Sequence, residues 1–415
     1  MAGDMELTFL GTSSGGGPTR ARNCSSLVCD LLRDGSLWMV DCAEGTIRQF
    51  QFQPQAYPNV KASKVTKLFI THMHADHIMG IITFLRSVLH PPPNGSWHIL
   101  SNLDSHSIWC KVEIYGPAGL RSFVRQNFKM TFTHTADCYA VHELLTLKDQ
   151  ITPCNNPVPL QAGVPGTPVG FQDWNVMHQS EKCGRDIYPD EDNFWRGIAT
   201  GEGRFGRIIV DAGPICHRDP CIGYAFRENA GPQRKIVILG DTSDPSAIVP
   251  LCIDPSPALL IHEATDAHIP YQVDVKLGRR DEEEVLSKTL SRGHSSPAMA
   301  GAFARLVDAQ RLVLNHIGAR FPGPTEDRSH RNWHLLSEIQ DQASRAWGKG
   351  RQAKIAYDYM RIVIPGRDPD ANELYLGRSG RYKGLSISES TSSYRHQASR
   401  YHQLDGDNST DHRYR

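Results

Sequence analysis

Neither sign of charge is in excess in this chain of 415 residues, because Lys plus Arg and Asp plus Glu both number 45. A general affinity for polyanions is therefore not implied, and any nucleic-acid contact would have to come from a local basic patch. No apolar run approaches the roughly 18 residues needed to cross a bilayer. The opening Met1-Ala2-Gly3-Asp4-Met5-Glu6 has no apolar stretch of the kind a secretory signal needs. The ten cysteines include no C-x-x-C pair, and Cys29, Cys42 and Cys252 lie in apolar surroundings suited to buried, reduced thiols. A cytoplasmic or nuclear protein is expected. The glycine-rich stretch Gly11 to Pro18 carries neither a G-x-G-x-x-G nor a G-K-[ST] signature, so it does not mark a nucleotide cofactor. Internal repeats are absent as well.

What is present is concentrated in seven residues. Thr71-His72-Met73-His74-Ala75-Asp76-His77 follows the apolar run Leu68-Phe69-Ile70. A regular strand or helix would bring only some of the four polar side chains to one face. A strand ending in a tight loop that turns into a helix lets His72, His74, Asp76 and His77 converge on one point. Imidazole with carboxylate suits zinc, with manganese or iron as other possible occupants.

The rest of the chain repeats one theme: short apolar strands that end in His or Asp. Leu37 to Val40 runs into Asp41, placed either to orient a ligand histidine or to cap the helix that follows. Arg207 to Val210 leads towards His217, Lys235 to Leu239 ends in Gly240-Asp241, Ala258 to Ile261 ends in His262-Glu263, and Arg311 to Leu314 ends in Asn315-His316. Val176-Met177-His178 is a competing strand with a terminal histidine. Ligand-bearing loops at one edge of packed sheets are where α/β enzymes place their sites. Arg20 and Arg22 supply two cations beside the glycine-rich loop, as a solvated turn or as a phosphate contact. Residues 1–366 are expected to form one catalytic domain with a Pro/Gly-rich insertion over about 150–205. Residues 367–415, polar and poor in aliphatic side chains, cannot bury enough surface to offset ordering and are expected to be largely disordered.

These stretches resemble the metallo-β-lactamase superfamily, whose H-x-H-x-D-H signature is met by His72, His74, Asp76 and His77. Within it they are similar to the short form of ribonuclease Z. That narrower resemblance rests on Leu10-Gly11-Thr12 with Pro18-Thr19-Arg20, Asp41 to Thr46, Ile114 to Leu120, Gly240-Asp241-Thr242, His262-Glu263-Ala264-Thr265, Gly293-His294-Ser295-Ser296, and Leu314-Asn315-His316 with Ala319-Arg320-Phe321. It implies an αββα sandwich of two mixed sheets flanked by helices, holding two zinc ions. His72, His74 and His217 resemble the ligands of one ion, Asp76, His77 and His316 those of the other, and Asp241 the bridge. Asp76 is similar to the proton acceptor for the attacking water and His294 to the group that protonates the leaving oxygen, oriented by Glu263.

The implied activity is endonucleolytic removal of 3′ trailers from precursor tRNA, with a homodimer as the common assembly. The alternative is a metal-dependent phosphodiesterase acting on another RNA 3′ end or on a small phosphodiester. That alternative arises because the long arm by which such enzymes grip tRNA has no counterpart: only Ala225 to Leu239 fills its interval. The interval from His262 to His294 is instead longer than the resemblance implies and carries Lys276, Arg279 and Arg280.

Overall fold

The computed structural model describes residues 3–54, 60–90, 110–154, 175–204, 206–231, 233–323, 330–348 and 350–366. The polar tail expected beyond 366 lies outside the described residues.

Two β-sheets dominate. The first runs, from edge to edge, Arg361–Ile364, Met5–Gly11, Ser26–Asp30, Leu37–Val40, Val65–Phe69, Val112–Pro117, Tyr139–Leu144 and Glu181–Lys182, and Asp186–Ile187 also pairs with Tyr139–Leu144. The second runs Trp195–Gly203, Gly206–Ile215, Cys221–Glu228, Lys235–Leu239, Leu259–Glu263, Leu312–Asn315 and Lys354–Ile355. Each sheet is mixed. In the first, Leu37–Val40 pairs antiparallel with Ser26–Asp30 but parallel with Val65–Phe69; in the second, Lys235–Leu239 pairs antiparallel with Cys221–Glu228 but parallel with Leu259–Glu263.

Side-chain alternation assigns the faces. Leu7, Phe9, Trp38, Val40 and Phe69 of the first sheet share one apolar cluster with Val210, Tyr224, Phe226 and Ile238 of the second. The opposite face of the first sheet, through Val28, Met39 and Leu68, buries against the helices Ile81–Val88 and Leu120–Met130. The opposite face of the second, through Val237, Leu260 and Leu314, buries against Pro297–Leu306 and His330–Trp347. Three separate cores between four layers make an αββα sandwich, the fold class that the resemblance implied.

Aromatic rings fasten the middle: Phe69 stacks on Tyr115 at 5.2 Å and meets Phe226 edge-on at 5.2 Å. Two polar links also cross between the sheets. The Tyr224 hydroxyl donates to the Ile70 carbonyl at 2.6 Å, and the Ile222 amide donates to the Thr71 carbonyl at 2.9 Å. Both brace the backbone just before His72.

The stretch expected as an insertion over about 150–205 differs in its second half. Residues 155–174 lie outside the described residues, but Glu181–Lys182 and Asp186–Ile187 extend the first sheet and Trp195–Gly203 is a strand of the second, burying Trp195 and Ile198. These strands are short or glycine-bearing, which left little period-2 pattern to read. Cys221–Glu228 and Lys235–Leu239 pair directly as antiparallel neighbours, so the short interval noted in the sequence is a plain strand connection.

Candidate metal centre

The strand Val65–Phe69 delivers the His loop, and the loop then enters the short helix Ala75–Ile78. The return path is fixed by hydrogen bonds to the neighbouring loop: the Cys42 amide donates to the His77 carbonyl at 2.8 Å, and the Gly80 amide to the Cys42 carbonyl at 2.9 Å. A Cβ at Gly80 would lie 1.9 Å from the Ala43 carbonyl oxygen, so only glycine allows this approach.

Side chains from both sheets meet here. His72, His74, His217 and Asp241 form one group of potential ligands and Asp76, His77 and His316 another, the ligand atoms of each lying within 4.8 Å of one another. Asp241 stands between the groups: its carboxylate oxygens are 3.7 Å from His72 Nε2, 3.5 Å from His77 Nε2 and 3.3 Å from His316 Nε2. His217 Nε2 lies 3.4 Å from His74 Nδ1, and Asp76 Oδ2 lies 3.3 Å from His316 Nε2.

The backbone is bent to make this possible, since Asp41 and His316 adopt left-handed φ angles of 57° and 54°. Such conformations cost about 1–3 kcal/mol for non-glycine residues and recur where geometry serves function.

The ring nitrogens that face away from the centre all have a partner. His72 Nδ1 is 3.1 Å from Thr71 Oγ1, and His74 Nε2 is 2.7 Å from Asp219 Oδ2. His77 Nδ1 is 2.7 Å from Asp41 Oδ2, His217 Nδ1 donates to the Gly293 carbonyl at 2.6 Å, and His316 Nδ1 is 2.9 Å from Thr265 Oγ1. A partner on the outer nitrogen fixes the tautomer and leaves the inner nitrogen's lone pair for a cation. His217 can reach the Gly293 carbonyl only because position 293 is glycine: φ there is +78°, and an added Cβ would lie 2.5 Å from His217 Nδ1.

Electrostatics follow from this crowding. Burial alone would raise the Asp241 carboxyl, but His316, His77 and His72 outweigh it and hold the group well below the usual carboxylate range. Asp76 is held down in the same way, chiefly by the hydrogen bond from His316 against its burial. Burial depresses His72 and His217 and keeps them neutral. Burial also opposes charge on His77, but Asp241 and Asp41 prevail and raise it.

The donor set fits divalent metal. Imidazole and carboxylate are zinc ligands, and His72 Nε2 is buried without a hydrogen-bond partner while aimed at Asp241, an orphaned donor site that a cation would satisfy.

A second set of contacts flanks the ligands. His294 Nδ1 is 3.0 Å from Glu263 Oε1 and 3.7 Å from Asp241 Oδ2. Burial would lower His294, and the bond to Glu263 raises it instead. Glu263 also accepts the Thr242 amide at 2.7 Å and the Thr265 hydroxyl at 2.6 Å, so one buried carboxylate ties three elements of the site together. The Gly15 amide donates to Asp76 Oδ2 at 2.9 Å, which brings the glycine-rich loop to the centre's edge.

Several residues read from the sequence lie elsewhere. His178 packs edge-on against Phe128 and takes no part in the centre, where His217 stands. His262 is buried against Phe303, its Nδ1 bonded to the Glu263 carbonyl, while its neighbour Glu263 joins the site. Arg22 is neither a solvated turn nor a phosphate contact, for its guanidinium is buried and donates to Thr12 Oγ1 and the Ala356 carbonyl. In the long interval after His262, Arg280 pairs in a fork with Asp266, which Arg320 also approaches at 3.2 Å. Asp219, Thr265 and the Gly293 carbonyl were not found from the sequence; only the tertiary fold brings them to the histidines.

A family model described as anti-Pycsar protein Apyc1 matches residues 5–95. Ribonuclease Z of Streptococcus thermophilus (strain ATCC BAA-491 / LMD-9) is 31% identical over 331 residues, which cover 77% of this chain and 91% of the relative. The protein named zinc phosphodiesterase ELAC protein 1 from Bos taurus is 29% identical over 412 residues, covering 87% and 99%. The crystal structure of human tRNase Z, short form, aligns with a TM-score of 0.55 at 29% identity, covering 87% of this chain and 99% of that one.

Proposed function

Since this chain belongs to the ribonuclease Z family, we propose that it is a zinc-dependent endoribonuclease that removes 3′ trailers from precursor tRNA and leaves a 3′-hydroxyl on the tRNA. The observation that carries the reading is the pair of ligand groups on either side of Asp241. His72, His74 and His217 would hold one ion, Asp76, His77 and His316 the other, and Asp241 would touch both. Two zinc ions bound there would activate a water and offset the negative charge gathering on the phosphate during an in-line displacement; manganese or iron would fit the same donors.

The chain's own groups divide the proton work. Asp76 is held ionised beside His316 and is the acceptor for the water's proton at Oδ2. Glu263 raises His294 against its burial, which favours the protonated ring as the donor to the departing ribose oxygen. With Nδ1 on the Glu263 carboxylate, Nε2 is the atom that donates. Glu263 therefore acts by holding His294, and Asp41, Thr265 and Asp219 act by holding ligand histidines. Cytoplasmic or nuclear localisation and a homodimeric assembly belong to the same reading. No helix among the described residues is long and apolar enough to cross a membrane.

The test is cleavage of a precursor tRNA with a 3′ trailer by the zinc-loaded full chain, run beside bis(p-nitrophenyl) phosphate. Trailer removal that His74→Ala abolishes is the expected result. Turnover of the small diester with the precursor left intact would replace this reading with the small-phosphodiester alternative, and no turnover of either would remove both.

A further inference from the structure

Far from the histidines in sequence and bonding, two thiols face each other. Cys154 Sγ and Cys183 Sγ are 3.5 Å apart, Cys183 exposed and Cys154 half-buried. Both sulfurs also lie beside the Gly184 carbonyl, at 3.3 Å and 3.5 Å.

Their approach is enforced from below by two arginines of the helix Leu120–Met130, whose side chains are fully buried. On the Cys154 side, Arg121 Nη1 donates to the Thr152 carbonyl at 2.6 Å and Arg125 Nη2 to the Pro153 carbonyl at 2.7 Å. On the Cys183 side, Arg121 Nη2 donates to the Arg185 carbonyl at 3.1 Å, and Arg125 forks onto Glu181 at 2.7 Å and 2.8 Å. Arg121 also pairs with Asp186 at 2.8 Å. The segments before Cys154 and around Cys183 thus hang on the same two guanidiniums. Gly184 is pressed onto the sheet, where an added Cβ would lie 1.8 Å from the Val141 carbonyl oxygen.

Of the other eight thiols, Cys24, Cys29, Cys42, Cys221 and Cys252 are buried, and desolvation holds each of them protonated. Cys110 and Cys138 are half-buried and Cys216 is exposed.

We propose that Cys154 and Cys183 are a modification site, a dithiol that a hydroperoxide closes to a reversible intramolecular disulfide. The exposed Cys183 reacts first. Its sulfur attacks the peroxide, the O–O bond breaks, and a sulfenic acid and one molecule of water (for hydrogen peroxide) result. Cys154 then supplies the second sulfur. Burial and the bond to Cys183 push its thiol up to about 11, and the more exposed Cys183 sulfur is the one the oxidant meets first. The Cys154 sulfur attacks the Cys183 sulfur, the S–O bond breaks, and the departing hydroxide leaves as water with the Cys154 proton. In balance, two thiols lose two electrons and two protons, and the peroxide is reduced to two waters. A small dithiol reverses the bond by exchange.

The experiment treats the full chain, as purified, with hydrogen peroxide, blocks remaining thiols with N-ethylmaleimide, and maps the digest by mass spectrometry without reduction. The expected product joins the Cys154 and Cys183 peptides within one chain, each thiol having lost its hydrogen, and disappears with dithiothreitol. Cys154→Ser should leave a sulfenic acid on Cys183 that dimedone traps, and Cys183→Ser should leave Cys154 unoxidised. The wild-type map decides the matter even if a variant folds poorly. Full alkylation of both thiols after peroxide, a link only between separate chains, or oxidation confined to other pairs such as Cys110 and Cys138 would overturn the proposal.

Discussion

Replacing Asp41 with asparagine separates orientation of a ligand from mere packing. One oxygen of Asp41 accepts the Thr71 amide at 2.8 Å, and the other faces His77 Nδ1 at 2.7 Å. The residue is almost fully buried, so water cannot substitute for either contact. Asparagine keeps the shape but has one oxygen only. The Thr71 amide can only donate, so the asparagine oxygen must turn to it, and the amide NH2 then faces His77 Nδ1. That nitrogen must become an acceptor, which sends the ring proton to Nε2, the atom aimed at Asp241 and His316. A protonated Nε2 cannot ligate. Losing an outer partner of a metal-binding histidine typically costs about ten- to a hundredfold in metal affinity, or about 1.4–2.7 kcal/mol. Asp41→Asn should therefore weaken one of two zinc sites by about that factor or more. Competition with a chromophoric chelator measures it. Two zinc sites of wild-type affinity in Asp41→Asn would refute the tautomer reasoning.

Three further outcomes follow from other contacts. Asp219→Ala removes the carboxylate on His74 Nε2 and should weaken the other zinc site, again by about ten- to a hundredfold, as read by the same chelator competition. Burial lowers His178 to about 3, so the folded state resists a proton that the unfolded chain takes up below its ordinary pKa near 6.5. The sign is that stability is fully present above that value and falls as pH drops from it towards 3. At pH 5 the loss is about 2 kcal/mol, and urea titrations at pH 7 and pH 5 should show His178→Gln sparing most of it; equal acid losses in both proteins would exclude this origin. Gly80→Ala forces a methyl against the Ala43 carbonyl and should cost about 1–3 kcal/mol in denaturant unfolding, with zinc binding at His77 impaired alongside.

The His loop was legible because its chemistry is local: four ligand-type residues within six positions after an apolar strand can mean little else. The strand termini at Asp241 and His316 were legible for a related reason, since a charged group at the tip of a buried strand needs a partner. His262 shows the limit of that rule. It ends a strand like the others, yet the strand's alternation turns it into the helix-facing core and turns Glu263 towards the site. The outer partners of the histidines were mostly illegible. Asp219 is a polar residue in a turn, Thr265 a hydroxyl after a strand, and Gly293 a bare carbonyl; only the crossing of two sheets gives them a role. Asp41 was half legible, as a carboxylate at a strand end that the sequence could equally have used as a helix cap.

The apolar strands of the centre were legible and pointed to an α/β fold, while the two-sheet sandwich came from the family resemblance. The strands between 181 and 203 were not legible, because two of them are only two residues long and Trp195–Gly203 is interrupted by glycines and carries little alternation.

The central claim is that two ions share Asp241. Zinc titration of the metal-free full chain, with sites counted by chelator competition and by elemental analysis, tests it most directly. Two zinc ions per chain in the wild type, with both affinities lowered in Asp241→Ala and one alone lowered in His217→Ala, is the result expected. One ion per chain, or a second ion indifferent to Asp241, would contradict it.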